Sequence, residues 1–179
     1  MRITGGTARG RAISGPVGLE ARPTASKMRQ ALFNILRNNL EGARFLDLFA
    51  GTGLMGMEAL SRGAGSLVCV EENKRLARGI EADLKRLGFE GEVICADVRK
   101  VLPVLEPDSF DIIYADPPYG SRLYASVLHG VGKHELLSPD GVLVIEHAAK
   151  VELESEKDNL VEFDRRHYGQ SSFSFFRRR

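Results

Sequence analysis

The apolar run Phe110–Ala115 is followed by Asp116, Pro117, Pro118 and Tyr119. Two successive prolines cannot continue a central strand, since each lacks an N–H and fixes its own backbone. The chain must therefore leave the sheet in a stiff, extended loop. The carbonyls of Asp116 and Pro117 then have no strand partner and are free to face the crevice beyond the strand ends, where such sheets bind ligands. An acid, a free carbonyl and an aromatic ring suit a planar amine: the acceptors take its two N–H groups and Tyr119 stacks on its ring. Such an amine is a poor nucleophile while its lone pair is delocalised. Holding both hydrogens turns the lone pair outward and assists proton loss. An isolated Asp-Pro pair is an ordinary turn; its place after a fourth strand makes this one a candidate site.

A second constellation lies in FLDLFAGTGLMG, where Gly51-x-Gly53-x-x-Gly56 follows one strand directly and opens a helix. Glu71 lies at the end of the next strand. Glycines in this setting let the backbone approach a ligand, and the acid binds ribose hydroxyls. The pattern indicates an adenosine-type cofactor without saying which. NAD would place a pyrophosphate on the helix N-terminus, whereas S-adenosylmethionine carries a positive charge and favours acids. Asp47, just before the glycines, and Asp97, after the run Val93–Ala96, are such acids, with Asp97 placed to accept from an adenine amino group. Either could instead be a helix N-cap. Three acids at the carboxyl ends of three successive strands suit a sulfonium better than an anionic dinucleotide.

The elements that must hold these residues are legible from periodicity. Short apolar runs (Phe45–Leu48, Leu67–Val70, Val93–Ala96, Phe110–Ala115, Val142–Glu146) alternate with helical segments (Leu54–Ser61, Lys74–Leu87, about Val98–Leu105, about Leu123–Val131). That rhythm predicts a parallel sheet covered on both faces. Asn159–Tyr168 and Ser171–Arg177 flank Gly169-Gln170 and predict a C-terminal antiparallel hairpin. The expectation is thus an α/β, doubly wound, mainly parallel seven-stranded sheet with one antiparallel strand. Before it, Arg2–Thr4 and Arg9–Ile13 about a Gly5-Gly6 turn predict a hairpin. Ser14–Pro23 reads as a loop. A helix from about Ser26 carries Met28, Ala31, Leu32, Ile35 and Leu36 on one face and Lys27, Arg29, Gln30, Asn34 and Arg37 on the other. Residues 1–40 are expected to form a small extension and 41–179 the main domain.

The 179 residues fit one domain, and 43% apolar content is enough for a sizeable core. Disorder and coiled coil are excluded on composition, and no apolar run approaches the roughly 20 residues that span a bilayer. The N-terminus has no apolar stretch resembling a secretory signal. Cys69 and Cys95 both read as buried core residues of a reduced, cytoplasmic protein. The four histidines show no ligand spacing, so no metal is expected. The formal charge of +1 conceals a segregation. Residues 1–38 carry +6, residues 165–179 carry +5, and the body between them carries −10. Basic ends on an acidic body suit a polyanion, or simply solvated termini. Arg2, Arg9, Arg11, Arg22, Lys27 and Arg29 are the candidate polyanion contacts.

DLFAGTG followed by DPPY resembles the S-adenosylmethionine-dependent amino-group methyltransferases, whose pattern is D-x-F-x-G-x-G and [DN]-P-P-[YFW]. More narrowly, MRITGGTARGR, RPTASKMRQALFNIL and YGQSSFSFFR make the chain resemble the RsmD family over nearly its full length. The resemblance implies a class I, Rossmann-like methyltransferase fold acting on a guanine 2-amino group in bacterial 16S ribosomal RNA, at guanine 966. It further implies that Asp47, Phe49, Gly51 and Gly53 line the methionine part of the cofactor, that Glu71 binds ribose, and that Asp97 and the Val98 amide hold adenine. Asp116, Pro117, Pro118 and Tyr119 would receive the amine. Gln30 departs from the family, which usually has Glu there. The implied partner is ribosomal RNA in protein-bound form, which makes Arg2, Arg9, Arg11, Arg22, Lys27 and Arg29 candidate RNA-binding residues. A monomer away from membranes is expected. Three rivals remain at this point: a DNA adenine methyltransferase, for which the chain lacks room for a separate recognition domain; an NAD-binding oxidoreductase, which lacks a hydride-transfer acid or base; and a non-catalytic RNA-binding module, which would leave Asp116–Tyr119 idle.

Overall fold

The computed structural model describes residues 1–15, 23–118 and 123–179. Its centre is a single sheet of order β3-β2-β1-β4-β5-β8-β7-β6. The parallel half comprises β1 (Arg44–Leu48), β2 (Ser66–Val70), β3 (Glu92–Ile94), β4 (Phe110–Ala115) and β5 (Leu137–Ala148). β8 (Ser171–Arg178) pairs antiparallel with β5, and β7 (Leu160–Tyr168) pairs antiparallel with β8. The seven expected strands are present, with β8 the reversed one. The sequence reading missed an eighth strand, β6 (Glu156–Lys157), which runs along the β7 edge. Two residues are too short to leave a periodic signal.

Side-chain alternation along the strands splits the core in two. Phe45, Ile112, Tyr114, Val144, Phe173 and Phe175 face one layer. That layer contains α1 (Pro23–Ile35), α2 (Arg37–Leu40), α3 (Leu54–Ser61) and α4 (Lys74–Leu87). Leu46, Leu48, Ile113, Ala115, Leu143 and Ile145 face the other, formed by α5 (Val98–Val101), a 3-10 turn at Leu102–Val104 and α6 (Leu123–Lys133). The sequence reading of α3 and α4 matches to the residue. Asn73 caps α4 by accepting from the Arg75 and Leu76 amides, and Gly88 ends it at φ +73°.

The N-terminal extension packs into the first layer and does not stand apart from it. Ile3, Ala8, Ile13, Leu32, Phe33 and Leu36 are buried in the same cluster as the strand residues Phe45, Phe173 and Phe175. The predicted hairpin reduces to an antiparallel bridge, Arg2 with Ala12, flanked by Ile3–Arg11 and Ile13–Met1 backbone bonds. Gly5 and Gly6 are not its two-residue turn. They lie against the end of α3, where a Cβ on Gly6 would sit 1.6 Å from the Ser61 carbonyl oxygen. The Thr7 amide donates to that same oxygen. Close approach, not hairpin geometry, is what requires glycine here.

Two further expectations are corrected. Cys69 is buried, but Cys95 is exposed, because β3 is a short edge strand that ends at Ile94 and leaves Cys95 beyond the sheet. Arg29 does not belong to the outer basic stripe of α1. It is buried, its Nε 3.3 Å from Glu58 Oε2 and its Nη2 donating to the Arg2 carbonyl. Glu58, itself fully buried, also accepts from the Thr4 amide (2.8 Å), the Thr4 hydroxyl (2.6 Å) and Arg62 Nε (2.8 Å). A second latch is Asp83 on α4, which accepts from the Ser14 amide and hydroxyl and pairs with Arg86.

Removing Glu58 strands the Arg29 charge and the Thr4 amide inside the protein. Glu58→Ala is therefore expected to lower stability by about 3–5 kcal/mol. Urea denaturation reads this directly, and a loss below about 1 kcal/mol, the range of a surface ion pair, would show that the hub does not hold the extension in place.

Candidate functional site

The site lies at the carboxyl ends of β1, β2, β4 and β5. β1 passes into a tight turn in which Phe49 adopts φ +62° and Gly51 and Gly53 adopt +57° and +73°. A left-handed backbone at a bulky residue is strained by roughly 1–2 kcal/mol. The turn is held by the Ala50 amide donating to the Val70 carbonyl and the Gly53 amide donating to the Ala50 carbonyl. The three glycines serve different needs. A Cβ on Gly51 would meet only the Phe49 carbonyl oxygen, at 3.9 Å, so this position opens onto free space. One on Gly56 would strike Leu67 Cδ1 at 2.6 Å, so here the missing side chain lets α3 close on β2.

The surrounding acids are tied to this turn. Glu71 Oε2 accepts from the Gly51 amide (2.7 Å) and its Oε1 from the Asn73 amide (2.8 Å). Asp47 Oδ2 accepts from the Gly56 amide (2.9 Å). Asp47 is buried, which pushes its pKa up to about 7; the Gly56 bond opposes the shift and nearby Glu71 adds to it. Asp97 is the N-cap of α5, accepting from the Arg99 amide and pairing with the Arg99 guanidinium.

Three cavities meet here. One of about 340 Å³ is lined by Phe49, Glu71, Asp97, Val98, Asp116 and Pro117. A second, about 260 Å³, lies over the glycine turn between Asp47, Gly51, Met55, Leu76, Tyr114 and Asp116. The third, about 750 Å³, opens between α1 and the β5–β8 half of the sheet, with Met28, Arg29, Tyr114, Glu146, Tyr168 and Gln170 in its wall. Among the described residues, Asp116 alone lines all three. Pairing of Ala115 with Ile145 at the end of the β4–β5 ladder brings Asp116 and Glu146 to the same level. Tyr114, two residues before Asp116, donates its hydroxyl to Glu146 Oε2 at 2.5 Å. The packed walls push the pKa of Asp116 upward, and Glu146 and Asp47 push it the same way; solvent on its exposed flank moderates the shift.

A family described as Conserved hypothetical protein 95 matches residues 1–177. The chain belongs to the RsmD family. It is 31% identical to the Ribosomal RNA small subunit methyltransferase D of Escherichia coli strain K12 over 160 residues, covering 89% of this chain and 76% of that protein. It is 30% identical to the protein of the same name from Haemophilus influenzae, over 82% of this chain and 78% of that one. A solved structure of a hypothetical protein from Thermus thermophilus superposes with a TM-score of 0.82 at 30% identity, over 98% of each chain. The sheet order and C-terminal hairpin are those of a class I methyltransferase.

In this RsmD-family protein, Asp47, Phe49, Gly51, Glu71, Asp97, Val98, Asp116, Pro117 and Pro118 all line the first two cavities. Gly53 is buried behind the turn, against Ile80 and Met57. Tyr119 and Arg22 lie outside the described residues, as does most of the Ser14–Pro23 loop. Arg2, Arg9, Arg11 and Lys27 are exposed, and Arg29 lies in the third cavity's wall. Gln30 is exposed on α1. Sequence reasoning missed Tyr114 and Glu146. The signal was available: Tyr114 shares the face of Asp116 by strand alternation, and Glu146 ends the neighbouring run.

A carboxyl whose folded pKa is raised binds a proton in the folded state that it lacks in the unfolded chain. The stability from Asp47 is fully present below about pH 4 and is lost as pH rises through about 7. Asp47→Asn keeps an acceptor for the Gly56 amide and abolishes this titration. The ligand-free variant is expected to gain on the wild type between pH 5 and 8 by a few kcal/mol, on the order of 4 at most. Parallel pH profiles from urea denaturation of the two proteins would exclude Asp47 as a buried titrating group.

Proposed function

We propose that the protein transfers a methyl group from S-adenosylmethionine to the exocyclic 2-amino group of a guanine in small-subunit ribosomal RNA, with guanine 966 the target implied by the resemblance. The carrying observation is that Asp116 stands where the two cavities of the glycine turn meet the larger cavity under α1. One carboxylate thus faces both a cofactor side and an acceptor side.

The residues that would hold the cofactor are Asp47, Phe49, Gly51, Glu71, Asp97 and Val98, with Gly53 shaping the turn from behind. Their chemistry fits a cation. Asp47, Glu71 and Asp116 surround the turn, and Arg99, the one basic residue lining that crevice among the described residues, is engaged by Asp97. A dinucleotide pyrophosphate would face these carboxylates without a free cationic partner among the described residues. When bound, the cofactor supplies an electrophilic methyl group on a positively charged sulfur.

The protein's part is orientation and proton handling. Asp116, with the carbonyl that the two prolines release from the ladder, accepts the amine's N–H groups and turns its lone pair away from the ring. A raised pKa lets the same carboxyl take up the proton that the amine sheds. The target base must leave its stack to enter a recessed cavity. Arg9, Arg11 and Lys27 are exposed with no ion-pair partner among the described residues, which suits them to RNA phosphates. The protein acts as a cytoplasmic monomer on RNA within a small-subunit particle.

Deleting the arm would also remove buried Ile3, Ala8 and Ile13, so point substitutions are the better test of RNA contact. The double variant Arg9→Ala/Arg11→Ala should bind RNA more weakly and flatten the salt dependence by a slope of about 0.7–0.9 per lost phosphate contact, with cofactor affinity unchanged. Equal salt slopes would mean that these arginines are merely solvated. For the chemistry, Asp116→Ala should fold normally and slow single-turnover methyl transfer by about 10²–10⁴-fold at saturating cofactor and RNA, with Asp116→Asn intermediate. A wild-type rate in Asp116→Ala would refute the amine site. Nucleoside mass spectrometry of ribosomal RNA from cells lacking and then regaining the gene identifies the methylated base.

A further inference from the structure

Among the groups around the acceptor cavity, one carboxyl has no part in the chemistry above. Glu146 ends the inner stretch of β5, one strand from Asp116, and is half-buried in the cavity wall. Its Oε2 is fixed by the Tyr114 hydroxyl, and Tyr114 is itself buried within the sheet, 3% exposed. Its Oε1 accepts no hydrogen bond among the described residues. Beside the polar Arg29, Gln170 and Ser171, the wall offers flat or flexible apolar surface from Met28, Met55, Tyr168 and Phe173. A planar heterocycle sandwiched there would present its edge to two carboxyls at once.

Guanine has two adjacent donors on one edge, the N1–H and the 2-amino group, whereas adenine presents a lone pair at N1 beside its amine. We infer that Glu146 is a specificity-determining residue, accepting the guanine N1–H while Asp116 accepts the 2-amino group. This rests on the guanine reading above and extends it from the reacting amine to base choice. Burial pushes the Glu146 pKa up and the Tyr114 hydroxyl opposes that rise; by occupying Oε2, the same hydroxyl leaves Oε1 as the acceptor that can face the base. An N1 lone pair placed against that carboxylate would leave two acceptors facing each other, with neither satisfied. Discrimination therefore comes from repulsion of the wrong base as much as from attraction of the right one.

The test uses a base that keeps the amine and lacks the N1–H. 2-Aminopurine has the 2-amino group but carries a lone pair at N1. Small-subunit RNA with guanine or 2-aminopurine at the mapped target is offered to wild type and to Glu146→Gln in competition, under single-turnover conditions with saturating cofactor. Gln keeps an oxygen for Tyr114 and turns a donor toward the base. Wild type should prefer guanine. Glu146→Gln should lose about 10- to 100-fold on guanine and shift its preference toward 2-aminopurine, with cofactor affinity and melting temperature unchanged. The missing 6-oxygen of 2-aminopurine is common to both proteins and cancels in the ratio. A variant that slows on guanine without any shift toward 2-aminopurine, or that keeps the full guanine rate, overturns the inference. If the wild type methylates some base other than guanine, the underlying reading fails in its own measurement, before the variant is compared.

Discussion

The buried Glu58 carboxylate is the interaction on which the working geometry depends. Four donors from three parts of the chain converge on it: Thr4 in the arm, Arg29 on α1 and Arg62 at the end of α3. A charge so deeply buried is tolerable only because it is paired and fully hydrogen-bonded. Its consequence lies beyond its own surroundings. Fixing Arg29 fixes α1, and α1 supplies the Met28 and Arg29 wall of the large cavity. Without the extension, the large cavity would lose its α1 wall and Glu146 would stand more open to water. The sheet carries the acids, and the extension encloses one side of them.

The same crowding that makes the crevice chemically useful makes it electrostatically unfavourable when empty. Asp47, Asp116 and Glu146 each have a raised pKa, and withdrawal from water is the leading cause in all three. Parallel strands deliver their carboxyl ends to one edge, so acids placed there converge whatever their spacing in sequence. A protein that concentrates such acids favours a cationic occupant, which relieves their repulsion, over an anionic one, which adds to it. The Gly56 amide, the Tyr114 hydroxyl and the Gly51 amide give each of Asp47, Glu146 and Glu71 a fixed direction in the meantime.

Much of this was legible in the residues, because local and global preferences agree where the sheet is deepest. The runs Leu67–Val70 and Phe110–Ala115 are short and uninterrupted, and the glycine and proline punctuation after β1 and β4 marks where each chain must leave the ladder. Legibility fails where tertiary contact decides. Arg29 sits at a position that helical spacing assigns to solvent, and only the presence of Glu58 on a helix 29 residues away turns it inward. Gly5-Gly6 has the composition of a hairpin turn, but the end of α3 determines its conformation. Glu146 was visible as the last residue of a strand; its importance needed the pairing of β4 with β5, which no single sequence states.

The charge pattern of the chain shows the same limit with a functional consequence. The C-terminal block looks as basic as the N-terminal one, yet its arginines are answered by acids brought alongside by the hairpin. Arg165 pairs with Glu162 and Glu152, Arg166 with Asp164, Arg178 with Asp108 and Arg179 with Glu156, while Arg177 lies over the Phe163 ring. Apart from the largely buried, two-bond Arg165–Glu162 pair, these exposed pairs contribute little to stability, but together they neutralise the field that a polyanion would meet. Among the described residues, Arg9 and Arg11 in the arm meet no such acids, and Lys27, exposed on the helix that walls the large cavity, has no ion-pair partner. Formal charge is therefore nearly symmetric between the two ends, whereas available charge is concentrated at one. Lys27 adjoins Met28 of the cavity wall, whereas Arg9 follows the Thr7 and Ala8 amides that bond Ser61 at the far end of α3, so the available charge runs along the arm and α1 and does not gather at the cavity mouth.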